Sequence, residues 1–557
     1  MIENILRSRV KESLEILSLP DVDFSIEFPA DLAHGDFATN AALAAAKAAG
    51  VSPRELAEKI VAELGTIENI SKIEIAGPGF INFHLAREYF AGIVSNVDEN
   101  FGKGTTLASK KVMVEYTDPN PFKELHIGHL VPNALGESLS RLSEFSGAEV
   151  KRVTFQGDVG AHVAKAMWGL QKSGITAESD FTPADLGKAY AQGAAAYEES
   201  PEAQKEIKEL NKKIYSIFKG EGTEVADLYF KGREVSMRYF ESAYGVLGSK
   251  FDHYFLESET GMVGLPIIKE RIGTVFKESD GAIIFPGEEY GLHTRVFINS
   301  EGLPTYEAKD VGLIHAKEKW WVADTYITVT GSEIKEYFAV VRKALEQFNK
   351  GLADKLVLVL NGMLRLSTGK MSSRTGNVIP ALALVKEVAE ATRERMRDSD
   401  FSEQEKEGIA QQTAVAAIKY TILKNTSGKD IVFDIEKSIS VEGDSGPYLQ
   451  YSYARAKSVL GKAGDSASPE ITPEITPEFE RLLPRFPAIV ERAAREYEPH
   501  YVTTYLTELA GAFNSWYAAE KIIGTEHEAY KLALTRAFAQ TMKNGLWLLG
   551  IAAPEKM

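Results

Sequence analysis

Residues Lys111 to Phe145 read KVMVEYTDPNPFKELHIGHLVPNALGESLSRLSEF. The stretch opens on a β-prone run (Val112, Val114, Tyr116, Thr117), breaks at Asp118-Pro119-Asn120-Pro121, and continues with helical spacing. Strand, loop and helix in that order form the layout in which ligand phosphates meet a helix N-terminus. The free N–H groups and the dipole of the helix favour negative charge there. His126, Ile127, Gly128 and His129 stand where the helix begins. Imidazoles three residues apart share one helix face. Each can give an N–H to a phosphate oxygen, and each can take up positive charge as negative charge develops beside it. Gly128 leaves room for a flat group such as adenine to lie on the backbone. Two surface histidines capping a helix are the plain alternative, and these four residues alone do not decide.

A second motif tips the balance. Lys370 to Val378 read KMSSRTGNV and follow a β-rich run, LVLVLNGMLRL. A glycine-flanked, hydroxyl-rich, cationic loop suits a mobile lid over a triphosphate. Together the HIGH and KMSSR stretches resemble the two signatures of class I aminoacyl-tRNA synthetases, in that family's order. The resemblance implies an α/β fold with a Rossmann-like parallel sheet, ATP as substrate, and Mg²⁺ accompanying the triphosphate. It assigns catalysis to His126, His129, Lys370 and Arg374. It surrounds ATP with Gly128, the two histidines, Lys123, Met371 and Ser372. The family's usual loop is KMSKSKGNV, and here Ser373 replaces the second lysine with Arg374 one residue on. Which cation, Lys370 or Arg374, stabilises the leaving pyrophosphate stays open.

The flanking segments narrow the family. HGDFATNAA (His34–Ala42) and IEIAGPGFINFHL (Ile73–Leu85) are similar to the N-terminal extension of arginyl-tRNA synthetases. Residues 1–85 read as a small α+β module, with helices over Ile5–Leu17, Asn40–Ala49 and Pro53–Leu64. Its expected strands are Phe24–Phe28, Lys72–Ile75 and Phe80–Leu85. His34 reads as a turn residue. QGDVGAHVAKAMWGL resembles the family's VGDWGxQFG segment, departing at Gln156, Val159 and His162. In LPTYEAKDVGLIHAKEKWW, Tyr306 and Asp310 sit four apart, so on a helix they point the same way. The resemblance implies that these two hold the substrate guanidinium. A planar cation with five donors needs carboxylate and phenol oxygens in fixed geometry. It implies that Glu115 and Asn120 hold the amino acid's ammonium and backbone. Glu333 is a weaker candidate, because Ile334 beside it blurs the match.

From about Val385 the chain reads as helical. DIVFDIEKSISVEGDSGPYLQYSYARAKSVL and the last 26 residues resemble the family's anticodon-binding bundle. Tyr448, Gln450, Tyr451, Tyr453 and Arg455 could stack on or hydrogen-bond unstacked bases, although half of such aromatics belong in a bundle core. Residues 175–245, rich in Lys, Glu and Ala at helical spacing, read as an inserted helical segment with a solvated charged face. Phe251–Glu257, Ala282–Phe285 and Arg295–Asn299 are expected to return to the catalytic sheet.

Composition sets outer bounds. The 557 residues carry 44% hydrophobic and 25% charged side chains, ordinary for a globular protein of about three or four domains. No apolar run approaches the roughly 20 residues that cross a bilayer. The absence of cysteine excludes disulfides and thiolate metal sites, and it fits a cytoplasmic enzyme. No histidine spacing suggests zinc. The net charge of −16 argues against a general nucleic-acid binder. Residues 1–85 hold 7 basic against 13 acidic residues, and 401–557 hold 17 against 21. RNA contact must then come from local patches and shape.

The resulting expectation is a three-module ligase that joins L-arginine to its tRNA through an arginyl-adenylate. Its parts are residues 1–100 (a tRNA-contacting module), 108–384 (catalysis) and 385–557 (anticodon binding). A monomer is expected, without a structural metal or a membrane partner. A small-molecule nucleotidylyltransferase would share the HxGH helix start but be a short chain without both flanking modules. A catalytically dead paralogue would rest on Ser373 alone.

Overall fold

The strand Lys111–Glu115 is buried from Val112 onward, as a strand flanked on both sides and covered on both faces must be. Val112 and Val114 face one apolar core with Leu130, Leu139 and Leu142 of the following helix. Met113 faces a second core with Val311, Ile314 and Val340. In this computed structural model, which describes residues 2–367, 379–463, 473–474 and 476–557, that strand is the middle of a five-stranded sheet. The order is Leu356–Asn361, Thr325–Gly331, Lys111–Glu115, Glu149–Gln156, His253–Leu256, all parallel. The chain starts in the middle, adds two strands on one side, then returns to the other. The reversal opens a crevice between the C-terminal ends of Lys111–Glu115 and Thr325–Gly331, where such sheets bind ligands.

Two strands expected in this sheet lie elsewhere. Ala282–Phe285 and Arg295–Ile298 pair antiparallel, with Lys277–Ser279, in a separate three-stranded sheet. Short connections favour hairpin pairing over a crossover. The run LVLVLNGMLRL is two strands, broken at Gly362, where a Cβ would lie 2.1 Å from the Lys429 carbonyl oxygen. Its second part, Leu364–Leu366, pairs with Ile431–Phe433, so the region after Val385 is not wholly helical.

The N-terminal module has helices Ile2–Ile16, Ala41–Ala49 and Pro53–Leu64, and an antiparallel sheet containing Phe37–Thr39, Ile70–Ala76 and Phe80–Leu85. The expected strand Phe24–Phe28 shrinks to Ile26–Glu27. This module docks on the C-terminal helices. Arg87 meets the buried Glu480 at 2.6 Å, and Arg481 meets Asp36 of the HGDF stretch at 2.8 Å. The far end of the chain folds back onto the helix Leu130–Phe145. There Ser138 Oγ donates to the Leu548 carbonyl (2.8 Å), and the buried Lys419 donates to that of Gly550 (2.9 Å). Among the described residues no helix is long and apolar enough to cross a membrane.

Candidate active site

Beyond Glu115 the chain must turn sharply out of the sheet. Thr117, Asp118 and Phe122 all take positive φ (77°, 43° and 66°), a conformation non-glycine residues adopt only when their surroundings hold them. Asp118 is pinned by the Phe155 N–H (2.7 Å), and the Phe122 N–H donates to Ser236 Oγ (2.9 Å). Desolvation holds the Asp118 carboxyl well above the usual range, and the nearby Glu115 charge adds to the rise.

His126 caps the short turn Ile127–His129. Its ring Nδ1 accepts from the Gly128 N–H, and His129 Nδ1 accepts from the His126 N–H, both at 3.1 Å. The rings lie 3.9 Å apart, centre to centre. With both Nδ1 atoms accepting, each ring carries its hydrogen on Nε2, free to donate outward. Burial lowers both basicities, that of His129 to about 3 with His126 as a further cause, and Lys123 depresses both. The pair is therefore a set of neutral N–H donors in the unliganded site. A Cβ on Gly128 would meet His126 Cε1 at 2.8 Å, so the missing side chain makes room for the neighbouring imidazole.

The two motifs meet through their flanks. The Ile127 N–H donates to the Ile379 carbonyl (3.0 Å), and the Ala381 N–H to that of Leu125 (2.8 Å). Lys370, Met371, Ser372 and Arg374 lie outside the described residues, but the chain just beyond them is tied to the first motif.

Glu115, Glu257 and Asp310 lie near enough for their charges to act on one another. Glu115 is buried and pairs with Lys317 at 2.6 Å. Asp310, half-buried on the helix Tyr306–Trp320, accepts the Tyr337 hydroxyl hydrogen at 2.6 Å. Desolvation raises its carboxyl to about 7; Tyr337 opposes the rise, Glu115 and Glu257 reinforce it, and Lys317 moderates it. Glu257 pairs with Lys309 at 2.7 Å. Asn120 lies against Gly157, where a Cβ would come 2.2 Å from its Oδ1. His162 holds that glycine by donating from Nε2 to its carbonyl oxygen at 2.7 Å, and burial lowers its basicity to about 4. Glu115 and Glu257 each pair with a lysine, while Asp310 accepts from the Tyr337 hydroxyl.

Tyr306 shares the helix with Asp310 as expected, but it is 63% exposed, with the Lys309 ammonium 5.0 Å from its ring. Glu333 is exposed on the turn after Gly331, at the C-terminal edge of the sheet. The sequence reading missed Lys317, Tyr337, Glu257 and Lys309. Lys317 had a signal: it is seven residues past Asp310, two helical turns, on the same face. Tyr337 and Glu257 arrive from other elements and had none.

In the bundle, Arg455 lies over the rings of Tyr451 (4.7 Å) and Tyr517 (5.2 Å) and donates to Asn514 at 2.6 Å. Asn514 also donates to the Tyr448 hydroxyl at 3.1 Å. Gln450 is fully buried and donates to the Ala552 carbonyl, and Tyr453 is core. Both face the chain's own interior, which corrects their reading as base contacts.

Comparison with known proteins agrees over the whole length. The family described as tRNA synthetases class I (R), catalytic domain, matches residues 94–435. The arginyl tRNA synthetase N terminal domain matches 4–85, and the DALR anticodon binding domain matches 449–557. The chain is 32% identical to the arginine–tRNA ligase of Clostridium perfringens, with 100% of both chains covered. It is 32% identical to that of Treponema denticola, covering 92% of this chain and 91% of the relative. Among solved structures, Thermus thermophilus arginyl-tRNA synthetase superposes with a TM-score of 0.83 at 25% identity, covering all of both chains. Plasmodium falciparum arginyl-tRNA synthetase shares the fold, with a TM-score of 0.80 at 20% identity over 100% of this chain and 99% of that one.

Proposed function

The chain belongs to the arginyl-tRNA synthetase family, and from that premise we propose how its residues divide the work. It ligates L-arginine to tRNA with ATP, for protein synthesis. The arginine carboxylate attacks the α-phosphorus of ATP and pyrophosphate leaves. A hydroxyl of the 3′-terminal ribose then attacks the activated carbonyl and AMP leaves. Both steps ask the protein to align groups and balance charge.

His126 and His129 donate from Nε2 to phosphate oxygens. Lys123 and the second motif's Lys370 and Arg374 meet the triphosphate from other sides, with Met371 and Ser372 lining the same loop. Mg²⁺ enters with the triphosphate as its counter-ion. Asp310 takes the guanidinium, with Tyr306 at the mouth and Glu333 across the crevice; Glu115 and Asn120 hold the ammonium and carboxylate end. Tyr448, Tyr451 and Arg455 form the base-contacting patch of the bundle. We propose residues 1–100, 108–384 and 385–557 as the tRNA-contacting, catalytic and anticodon-binding parts of a cytoplasmic monomer.

The observation that carries the arginine assignment is the Asp310 carboxylate, which accepts the Tyr337 hydroxyl hydrogen at 2.6 Å within reach of the Glu115 and Glu257 charges. It is tested by ATP–pyrophosphate exchange over the amino acids, with and without tRNA. Arginine alone should support exchange, and exchange with lysine at a comparable rate would overturn the assignment.

A further inference from the structure

Between the second and third strands of the sheet, beyond the helix Ala161–Lys172, the inserted segment folds as three helices, Pro183–Glu199, Pro201–Phe218 and Ala226–Leu247. Its outer face is charged, as the sequence suggests. Its inner face is apolar: Ile207, Leu210 and Ile214 pack in one core with Phe122, Val159 and Met167 of the catalytic domain. What it grips there is specific. Phe122, Lys123 and Glu124, in the run just before His126, all touch it. Phe122 stacks on Tyr229 (ring centres 5.8 Å apart), and a Cβ on Gly232 would come within 2.3 Å of its ring. Lys123 Nζ lies 4.1 Å from the centre of the Tyr190 ring. Glu124 lies against Gly187, where a Cβ would stand 3.4 Å from its carboxylate.

We propose that this insertion is a scaffold for the active site, and that Tyr190 is a positioning residue holding the Lys123 ammonium ready for the triphosphate. The proposal rests on the reading of Lys123 as a triphosphate cation. A lysine stem is long and freely rotating, so an unheld ammonium spends much of its time away from the site. A carboxylate would hold it but would neutralise it and repel the incoming phosphates. An aromatic face attracts the cation through its quadrupole and leaves the charge intact for transfer. The held ammonium is near enough to the histidine pair for its charge to lower the basicity of both His126 and His129.

The test is ATP–pyrophosphate exchange with the full-length enzyme. Tyr190→Leu keeps apolar bulk and loses the ring face, and kcat should fall roughly three- to tenfold. Tyr190→Phe and Tyr190→Trp keep the face and should stay within about twofold of wild type. The KM for arginine should hold in all three, since it does not depend on where Lys123 points. In a Lys123→Met background, Tyr190→Leu should add nothing, because the group it positions is gone. Equal losses in Leu and Phe, or a Leu effect that multiplies the Lys123→Met loss, would overturn the proposal and leave Tyr190 a packing residue. A silent Lys123→Met would remove the cation reading and the proposal with it. A deficient Lys123→Met beside a wild-type Tyr190→Leu would remove the proposal alone.

Discussion

Tyr337 donates its phenolic hydrogen to Asp310 Oδ2 across 2.6 Å, in a setting where burial and the charges of Glu115 and Glu257 press the carboxyl toward its neutral form. The raised value of about 7 gives the empty site a pH dependence. Guanidinium needs the carboxylate. Below about pH 7 the free enzyme holds a proton that arginine must displace, and above it no proton is in the way. The KM for arginine should therefore rise toward tenfold per unit as pH falls below about 7, and flatten above it. Asp310→Asn should raise the KM strongly, by an amount on the order of 2–5 kcal/mol, and abolish the slope. Tyr337→Phe removes a donor to the charged form, so the break should move up by about one to two units. Arginine KM between pH 6 and 9 checks all three. An unmoved break in Tyr337→Phe would show that the hydrogen bond does not tune the acid.

The histidine pair predicts the opposite pH behaviour. Burial lowers the basicity of both rings, that of His129 to about 3, so His129 does not change charge between pH 6 and 8 in the free enzyme. His126→Ala and His129→Ala should each slow adenylate formation by about 10²-fold, the usual cost of removing a donor to developing charge. Arginine binding should be nearly kept. Single-turnover rates would decide it. Activation within twofold of wild type in both variants would remove the pair from catalysis.

How far the sequence was legible follows the range of the signals. The segment from Lys111 to His129 was readable because strand, turn residues and helix start are local patterns, and because the motif spelling is itself distinctive. Pro53–Leu64 and Phe80–Leu85 came out at their observed limits for the same reason. The strand Ile431–Phe433 was hidden: three residues in a helical region pair with a strand far away in sequence. The insertion's charged residues were legible, but its grip on Phe122–Glu124 was not. Periodicity says that a helix has an apolar face, not what the face covers. Asp310 was found through its motif, while Tyr337, which sets its chemistry, comes from another helix with no pattern of its own. Gln450 went wrong because a polar residue next to tyrosines looks like a surface contact, and here the last residues of the chain cover it.

Arg87 and Glu480 join the N-terminal module to the bundle, and the carboxylate is fully buried at a distance of 2.6 Å, with Tyr530 as a further donor. Removing one member of a buried pair leaves the other charged and desolvated, at a cost of about 3–5 kcal/mol. Glu480→Ala should thus lower the thermal midpoint and speed proteolytic release of the N-terminal module. Glu480→Gln, which keeps an acceptor, should do less. Exchange activity without tRNA should fall less than tRNA charging. Equal loss of both activities would mean that the contact serves the whole fold and not the docking of this module.

The second motif poses the hardest test, because Ser373 stands where the family's loop carries its second lysine. Lys370 occupies the first-lysine position, and its flexible stem can follow phosphates as they separate. Arg374, one residue beyond the gap, is always charged and can take two phosphate oxygens at once. Both should act on the same leaving pyrophosphate. Removing either should lower the activation rate, and the double variant should lose less than the product of the two losses, because groups that act as a unit are not additive. Single-turnover rates for Lys370→Ala, Arg374→Ala and the double variant measure this directly. Strictly multiplicative losses would mean that the two cations serve different steps. A silent Arg374→Ala would mean that the lost charge is supplied from outside the loop, with Lys123, held 4.1 Å over Tyr190, as the group in place to supply it.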